Sequence, residues 1–193
     1  MKRIIVAITG ASGAIYGVRA LEALRAMDEI EVHLVISPSA ARTLREETDF
    51  SMEQVQGLAH VVHNHKDIGA SIASGSFRTD GMVVAPCSVK TLSGIAHCYA
   101  EDLVIRAADV CLKERRRLVL LFRETPLHAG HIALMDQATR MGAIIMPPIP
   151  SFYHRPRSID DIVNRSVGRM LDLFELSNDL VSRWTGSNGA AKG

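Results

Sequence analysis

Four short stretches of the chain collect the groups that bind and transfer phosphorylated molecules. Gly10-Ala-Ser-Gly13 follows an apolar run, Ser88 and Thr91 follow Pro86, Arg123 stands beside Glu124, and Tyr153 lies in a proline-rich segment from Pro147 to Pro156. Gly10 and Gly13 let backbone approach a ligand closely, Ser12 adds a hydroxyl donor, and a helix opening after Gly13 turns unpaired N–H groups toward an anion. Ser37, Ser88 and Thr91 suit both helix capping and anion binding. Arg123 and Glu124 set a cation next to a proton acceptor. A strand-to-helix turn whose glycines serve packing alone is the plainer alternative for the first stretch.

These groups meet only if each stretch ends a strand of one sheet. Nearly continuous apolar runs at 4–8, 32–36, 82–85, 118–122 and 143–146 read as buried parallel strands, and 3.6-residue patterns predict helices near 14–27, 38–47, 51–58, 88–98, 102–115, 128–141 and 158–175. Strand and helix alternate, which predicts a doubly wound α/β sheet with ligands at the carboxyl ends of its strands. Residues 1–185 read as one such domain, and 186–193 as a frayed tail.

The glycine spacing bears on the ligand. A dinucleotide fingerprint reads G-x-G-x-x-G with an acid about 20 residues later at the end of the second strand. Here the glycines are Gly10, Gly13 and Gly17, and the second strand ends in Ser37. The missing ribose-binding acid disfavours NAD and leaves a mononucleotide such as FMN, or a phosphorylated metabolite.

Composition removes other classes. With 193 residues and a net charge of +1, there is no electrostatic case for nucleic acid or membrane. No apolar run reaches the roughly 18 residues that span a bilayer, and no signal-peptide pattern opens the chain, so a cytoplasmic protein is expected. Cys87, Cys98 and Cys111 lack metal-ligand spacing. Cys87 precedes a helix start, so a nucleophilic thiol competes with a packed one, the second being preferred. Lys113 to Arg117 reads as a solvated helix end before a strand, and Asp160 and Asp161 suit the first turn of a helix after Ser158.

The ordered set Thr9-Gly-Ala-Ser-Gly-Ala14, Ser74-Gly-Ser76, Pro86-Cys-Ser88, Thr91-Leu-Ser93, Arg106-Ala-Ala-Asp109, Leu112-Lys-Glu-Arg115, Arg123-Glu-Thr-Pro126, Pro147-Pro148 and Phe152-Tyr-His154 resembles, end to end, the flavin prenyltransferases of the UbiX type. The resemblance implies a flavodoxin-like, three-layer α/β/α fold, a dodecamer with active sites between subunits, and transfer of the dimethylallyl group of dimethylallyl monophosphate to N5 and C6 of reduced FMN. The prenylated FMN would then serve a partner decarboxylase in ubiquinone synthesis or phenolic-acid breakdown. Carried onto this chain, it implies FMN on Gly10, Ala11, Ser12, Ser37, Ser88, Val89, Lys90, Thr91 and Arg123. Arg106, Lys113, Tyr153 and Arg169 would hold the prenyl phosphate, and Glu47 and Glu124 would line the reacting centre, with Ser12 as a relay.

Those residue types suit the chemistry. Breaking an allylic C–O bond releases phosphate, which cations and a phenol can receive, and bond formation at flavin N5 and C6 requires a nearby proton acceptor. Glu47 and Glu124 both qualify. Asp160-Asp-Ile-Val-Asn164 lacks the last carboxylate of a magnesium-diphosphate motif, so no metal is expected. Two alternatives stand beside this reading. One is a flavin-dependent cysteine decarboxylase, disfavoured because no histidine lies between Ile68 and Cys87. The other is an FMN-binding carrier or accessory subunit, which would have no use for a second phosphate pocket.

Overall fold

The computed structural model describes residues 1–181, so the tail expected over 186–193 lies outside the described residues. Its centre is a parallel six-stranded sheet ordered β3-β2-β1-β4-β5-β6. The strands are β1 (Lys2–Ile8), β2 (Ile30–Ile36), β3 (Val61–His63), β4 (Gly81–Cys87), β5 (Arg117–Phe122) and β6 (Ile144–Ile145). The helices are α1 (Ala14–Arg25), α2 (Pro38–Glu47), α3 (Met52–Gly57), α4 (Val89–Ala96), α5 (Leu103–Lys113), α6 (Ala129–Met141) and α7 (Ile159–Asp172). The expected flavodoxin-like doubly wound fold is thus present, with its strand order reversing between β1 and β4. That reversal opens a crevice at the carboxyl ends of those two strands.

Alternation along β1 divides the interior. Ile4, Val6 and Ile8 join α1, α2, α3 and α7 on one side, whereas Ile5 and Ala7 join α4, α5 and α6 on the other. Both faces are therefore apolar, which is why β1 and β4 read as unbroken hydrophobic runs. Helix α1 lies unusually close to the sheet at Gly17, where an added Cβ would stand 2.4 Å from the Ala85 carbonyl oxygen.

The structure adds one strand to the five apolar runs. Edge strand β3 has only three residues and leaves Val61 and Val62 exposed, so it carries no buried-run signature. Strand β6 is shorter than the run at 143–146 because Pro147 and Pro148, which have no N–H, follow it directly. The basic cluster is more than a solvated helix end. Arg116 donates to the Phe77 carbonyl at 2.9 Å and the Gly75 carbonyl at 2.6 Å, fastening the segment before β4.

Candidate active site

The loops after β1 and β4 are laced together before any ligand is considered. Thr9 Oγ1 donates to the Pro86 carbonyl at 2.8 Å and accepts from the Ser88 N–H at 2.9 Å. Ser37 N–H donates to the Ile8 carbonyl at 3.0 Å, bringing the start of α2 to the same edge. Arg123 N–H donates to the Cys87 carbonyl at 3.1 Å, which adds the loop after β5. The result is a cavity of about 500 Å³ lined by Gly10, Ala11, Ser12, Ser37, Ser88, Val89, Lys90, Thr91, Arg123 and Glu124. Every residue expected to hold FMN lines this one cavity, and a volume in this range suits a small-molecule ligand. Pro38, Ser39, His65 and Asp102 line it too, none of which stood out in the sequence.

Gly10 has a specific reason to be glycine, since a Cβ there would meet the Ser39 Cβ at 2.3 Å. The serines have two tasks. Ser37 Oγ caps α2 by accepting from Ala40 N–H at 3.2 Å, and Ser88 Oγ caps α4 by accepting from Thr91 N–H at 3.3 Å. The first N–H groups of α4, at Val89 and Lys90, border the cavity and favour an anionic group there.

Helix α1 corrects an expectation. Its leading N–H groups do not await a ligand anion, because one oxygen of the Glu47 carboxylate accepts from Gly13 N–H at 2.7 Å and Ala14 N–H at 3.1 Å. Gly13 itself sits at φ 99°, in the left-handed region, and supplies no side-chain cap. Glu47 therefore caps α1 from across the loop, whereas Glu124 lines the cavity. Glu47→Ala is expected to lower stability by about 1–2 kcal/mol, the range for losing a charged helix cap. Glu47→Gln, which keeps an acceptor oxygen, should lose less, and urea denaturation of both variants checks the difference.

A second pocket, of about 140 Å³, lies between the proline-rich segment and α7 and is lined by Ser151, Tyr153, Arg165, Ser166 and Arg169 together with Met146, Pro147, Ile149 and Ile162. Tyr153 and Arg169 thus line one pocket. Arg165 was not foreseen, because an arginine in an amphipathic helix reads as rim. Its spacing of four from Arg169 was the available signal. Burial, and then the charge of Arg169, draw the Arg165 guanidinium below its ordinary pKa.

Tyr16 lines neither pocket; burial raises its pKa above the ordinary value, against smaller lowering effects of Ser166, which lines the second pocket, and of the Arg123 charge, which lines the first.

The Flavoprotein family model matches residues 1–171. The flavin prenyltransferase UbiX of Escherichia coli K12 is 61% identical over 189 residues, covering 97% of this chain and 100% of that protein. The chain belongs to the UbiX flavin prenyltransferase family. Among solved UbiX structures, AnUbiX in complex with FMN and dimethylallyl pyrophosphate superposes with a TM-score of 0.94 at 52% identity, covering 96% of this chain and 98% of that one. The dodecameric FMN-dependent UbiX-like decarboxylase from Escherichia coli O157:H7 also gives 0.94, at 51% identity and with 95% and 100% covered.

Two residues that the UbiX resemblance assigned to the prenyl phosphate stand apart from this site. Arg106 pairs with Asp109 at 2.7 Å and donates to the Ala73 carbonyl at 3.2 Å, and Lys113 pairs with Glu114 at 2.5 Å. Lys113 ends α5 just before β5 begins, at the sheet edge opposite the cavity. Within one chain, α5 carries Lys113 away from the carboxyl edge on which the cavity opens. Cys87 is fully buried and burial pushes its thiol pKa up, which fits a packed thiol and not a nucleophile.

Proposed function

We propose that this chain is a flavin prenyltransferase that moves the dimethylallyl group of dimethylallyl monophosphate onto N5 and C6 of reduced FMN and releases phosphate. The observation that carries the reading is that the chain holds both a polar cavity lined by every residue expected to bind FMN and a separate pocket lined by Arg165, Arg169 and Tyr153. A carrier that only bound flavin would have no task for the second pocket. Reduced FMN supplies the nucleophilic nitrogen and the ring carbon that receive the prenyl group.

The chain's own groups then divide the work. Gly10, Ala11, Ser12, Ser37, the Ser88 to Thr91 turn and Arg123 bind and orient the flavin. Arg169 and Tyr153 receive the phosphate as the allylic C–O bond breaks, offsetting its growing negative charge. The proton released on bond formation goes to Glu124 and not to Glu47, because Glu124 lines the cavity while Glu47 is engaged at the start of α1. Ser12, also on the cavity wall, is placed to relay it.

Arg106 and Lys113 join this site only if a neighbouring copy presents its α5. An oligomer is supported by α6, which buries only Ala138 and exposes Ile132. The dodecameric relative fits the same picture, and we propose a dodecamer here, with the prenylated flavin passed to a partner decarboxylase. Among the described residues no helix is long and apolar enough to cross a membrane, and we place the reaction in the cytoplasm.

The test is anaerobic incubation of the purified protein with reduced FMN and dimethylallyl monophosphate, with and without a metal chelator, followed by mass spectrometry of the flavin. A flavin heavier by one C5H8 unit, insensitive to chelator, is expected. Dimethylallyl pyrophosphate runs in parallel, as the ligand held by AnUbiX. Unchanged flavin that is nevertheless bound would favour the carrier reading.

A further inference from the structure

Arg165 is a charged group in the second pocket that phosphate release as described above does not use. It lies on α7 one turn before Arg169, on the same helix face. Its Nε donates to Ser151 Oγ at 2.8 Å, a terminal nitrogen donates to the Tyr153 hydroxyl oxygen, and its guanidinium carbon stands 4.6 Å from the centre of the Tyr153 ring. Both anchors belong to the proline-rich segment, so one guanidinium ties that segment to α7. Tyr153 is 60% exposed, so burial alone does not hold its ring in one orientation. A guanidinium N–H pointed into the phenol oxygen occupies a lone pair and leaves the phenol's own O–H to donate elsewhere.

We propose that Arg165 is a positioning residue for the leaving phosphate: it holds the Tyr153 ring and hydroxyl so that the phenol O–H is presented to the phosphate beside Arg169. This rests on the prenyltransferase reading and adds to it a residue that acts through Tyr153. Geometry carries the effect, since an ammonium in place of the planar fork cannot reach Ser151 and Tyr153 together while stacking on the ring.

The experiment is a double-mutant cycle with Arg165→Gln, Arg165→Lys, Tyr153→Phe and the Arg165→Gln/Tyr153→Phe double variant. Calorimetry with inorganic phosphate on the FMN-loaded protein is read alongside kcat/KM for dimethylallyl monophosphate. Arg165→Gln is expected to weaken phosphate binding and kcat/KM about tenfold, the scale of one hydrogen bond to a charged group. Arg165→Lys should restore little of that, and in the Tyr153→Phe background Arg165→Gln should change either quantity less than about twofold. An equal loss in both backgrounds would make Arg165 a direct charge contact and overturn the proposal, as would full rescue by lysine or no loss at all. Unchanged FMN affinity identifies variants that fold, and Arg165→Lys, which keeps the charge, replaces Arg165→Gln if the latter does not. If the unsubstituted protein binds phosphate but leaves the flavin unmodified, the transfer reading fails, while phosphate calorimetry still reports whether Arg165 acts through Tyr153.

Discussion

Arg123→Ala is expected to weaken FMN binding about 10- to 100-fold, measured by flavin fluorescence titration. A hydrogen bond to a charged partner contributes about 1.5–3 kcal/mol, which converts to that range. The reason to expect the full effect is positional. The Arg123 backbone is fixed by the Cys87 carbonyl at 3.1 Å, so the side chain starts from a defined point on the cavity wall. Arg123→Lys should recover part of the affinity, because it keeps the charge but not the two-pronged geometry. Melting temperature should barely move, because the side chain is exposed and outside both hydrophobic clusters. Unchanged FMN affinity in the alanine variant would remove Arg123 from the flavin site.

Gly17→Ala is expected to destabilise the fold by about 3 kcal/mol, the upper part of the usual range for overpacking. The sign is informative, since in an exposed helix interior the same change stabilises by about 1 kcal/mol. Here the new Cβ would lie 2.4 Å from the Ala85 carbonyl oxygen and 2.8 Å from Ile8 Cγ1. Neither neighbour yields easily. Ala85 lies in β4, which is paired to β1 on one side and β5 on the other, and Ile8 ends β1 between β2 and β4. Helix α1 must shift outward instead, which also strains the Glu47 cap and the Gly10 loop. A fall in melting temperature of about 6–12 °C is expected for a domain of this size. FMN affinity should fall with it, whereas stabilisation by alanine would mean that α1 sits farther from the sheet than described.

Much of this was legible in the chain itself. Buried parallel strands leave unbroken apolar runs, so β1, β2, β4 and β5 and the helices between them follow from pattern alone, and with them the edge at which loops gather. Edge strand β3 was not legible, because three half-exposed residues have no run to show. Most of the cavity proposed for the flavin was readable because Gly10 to Ser12, Ser37, Ser88 to Thr91 and Arg123 closely follow strand ends, whereas Asp102, at the start of α5, follows none. Glu47 was readable as a carboxylate near the site but not as the cap of α1, because its partners at Gly13 and Ala14 are more than 30 residues away in sequence. Arg165 escaped for a related reason. Its meaning depends on the proline-rich segment folding back over α7, a contact with no local signature.

By itself, then, the sequence determined the doubly wound sheet, the Gly10 to Gly13, Ser88 to Thr91 and Arg123 elements of one cavity, and the family to which the chain belongs. Periodicity, turn chemistry and ordered motifs are local properties, and these conclusions need nothing else. The tertiary structure alone decided that Glu47 caps a helix while Glu124 faces the cavity, and that within one chain Tyr153 shares a pocket with Arg165 and Arg169 but not with Arg106 or Lys113. Those assignments turn on where a side chain ends after the chain has crossed the sheet, which is set by packing between distant segments.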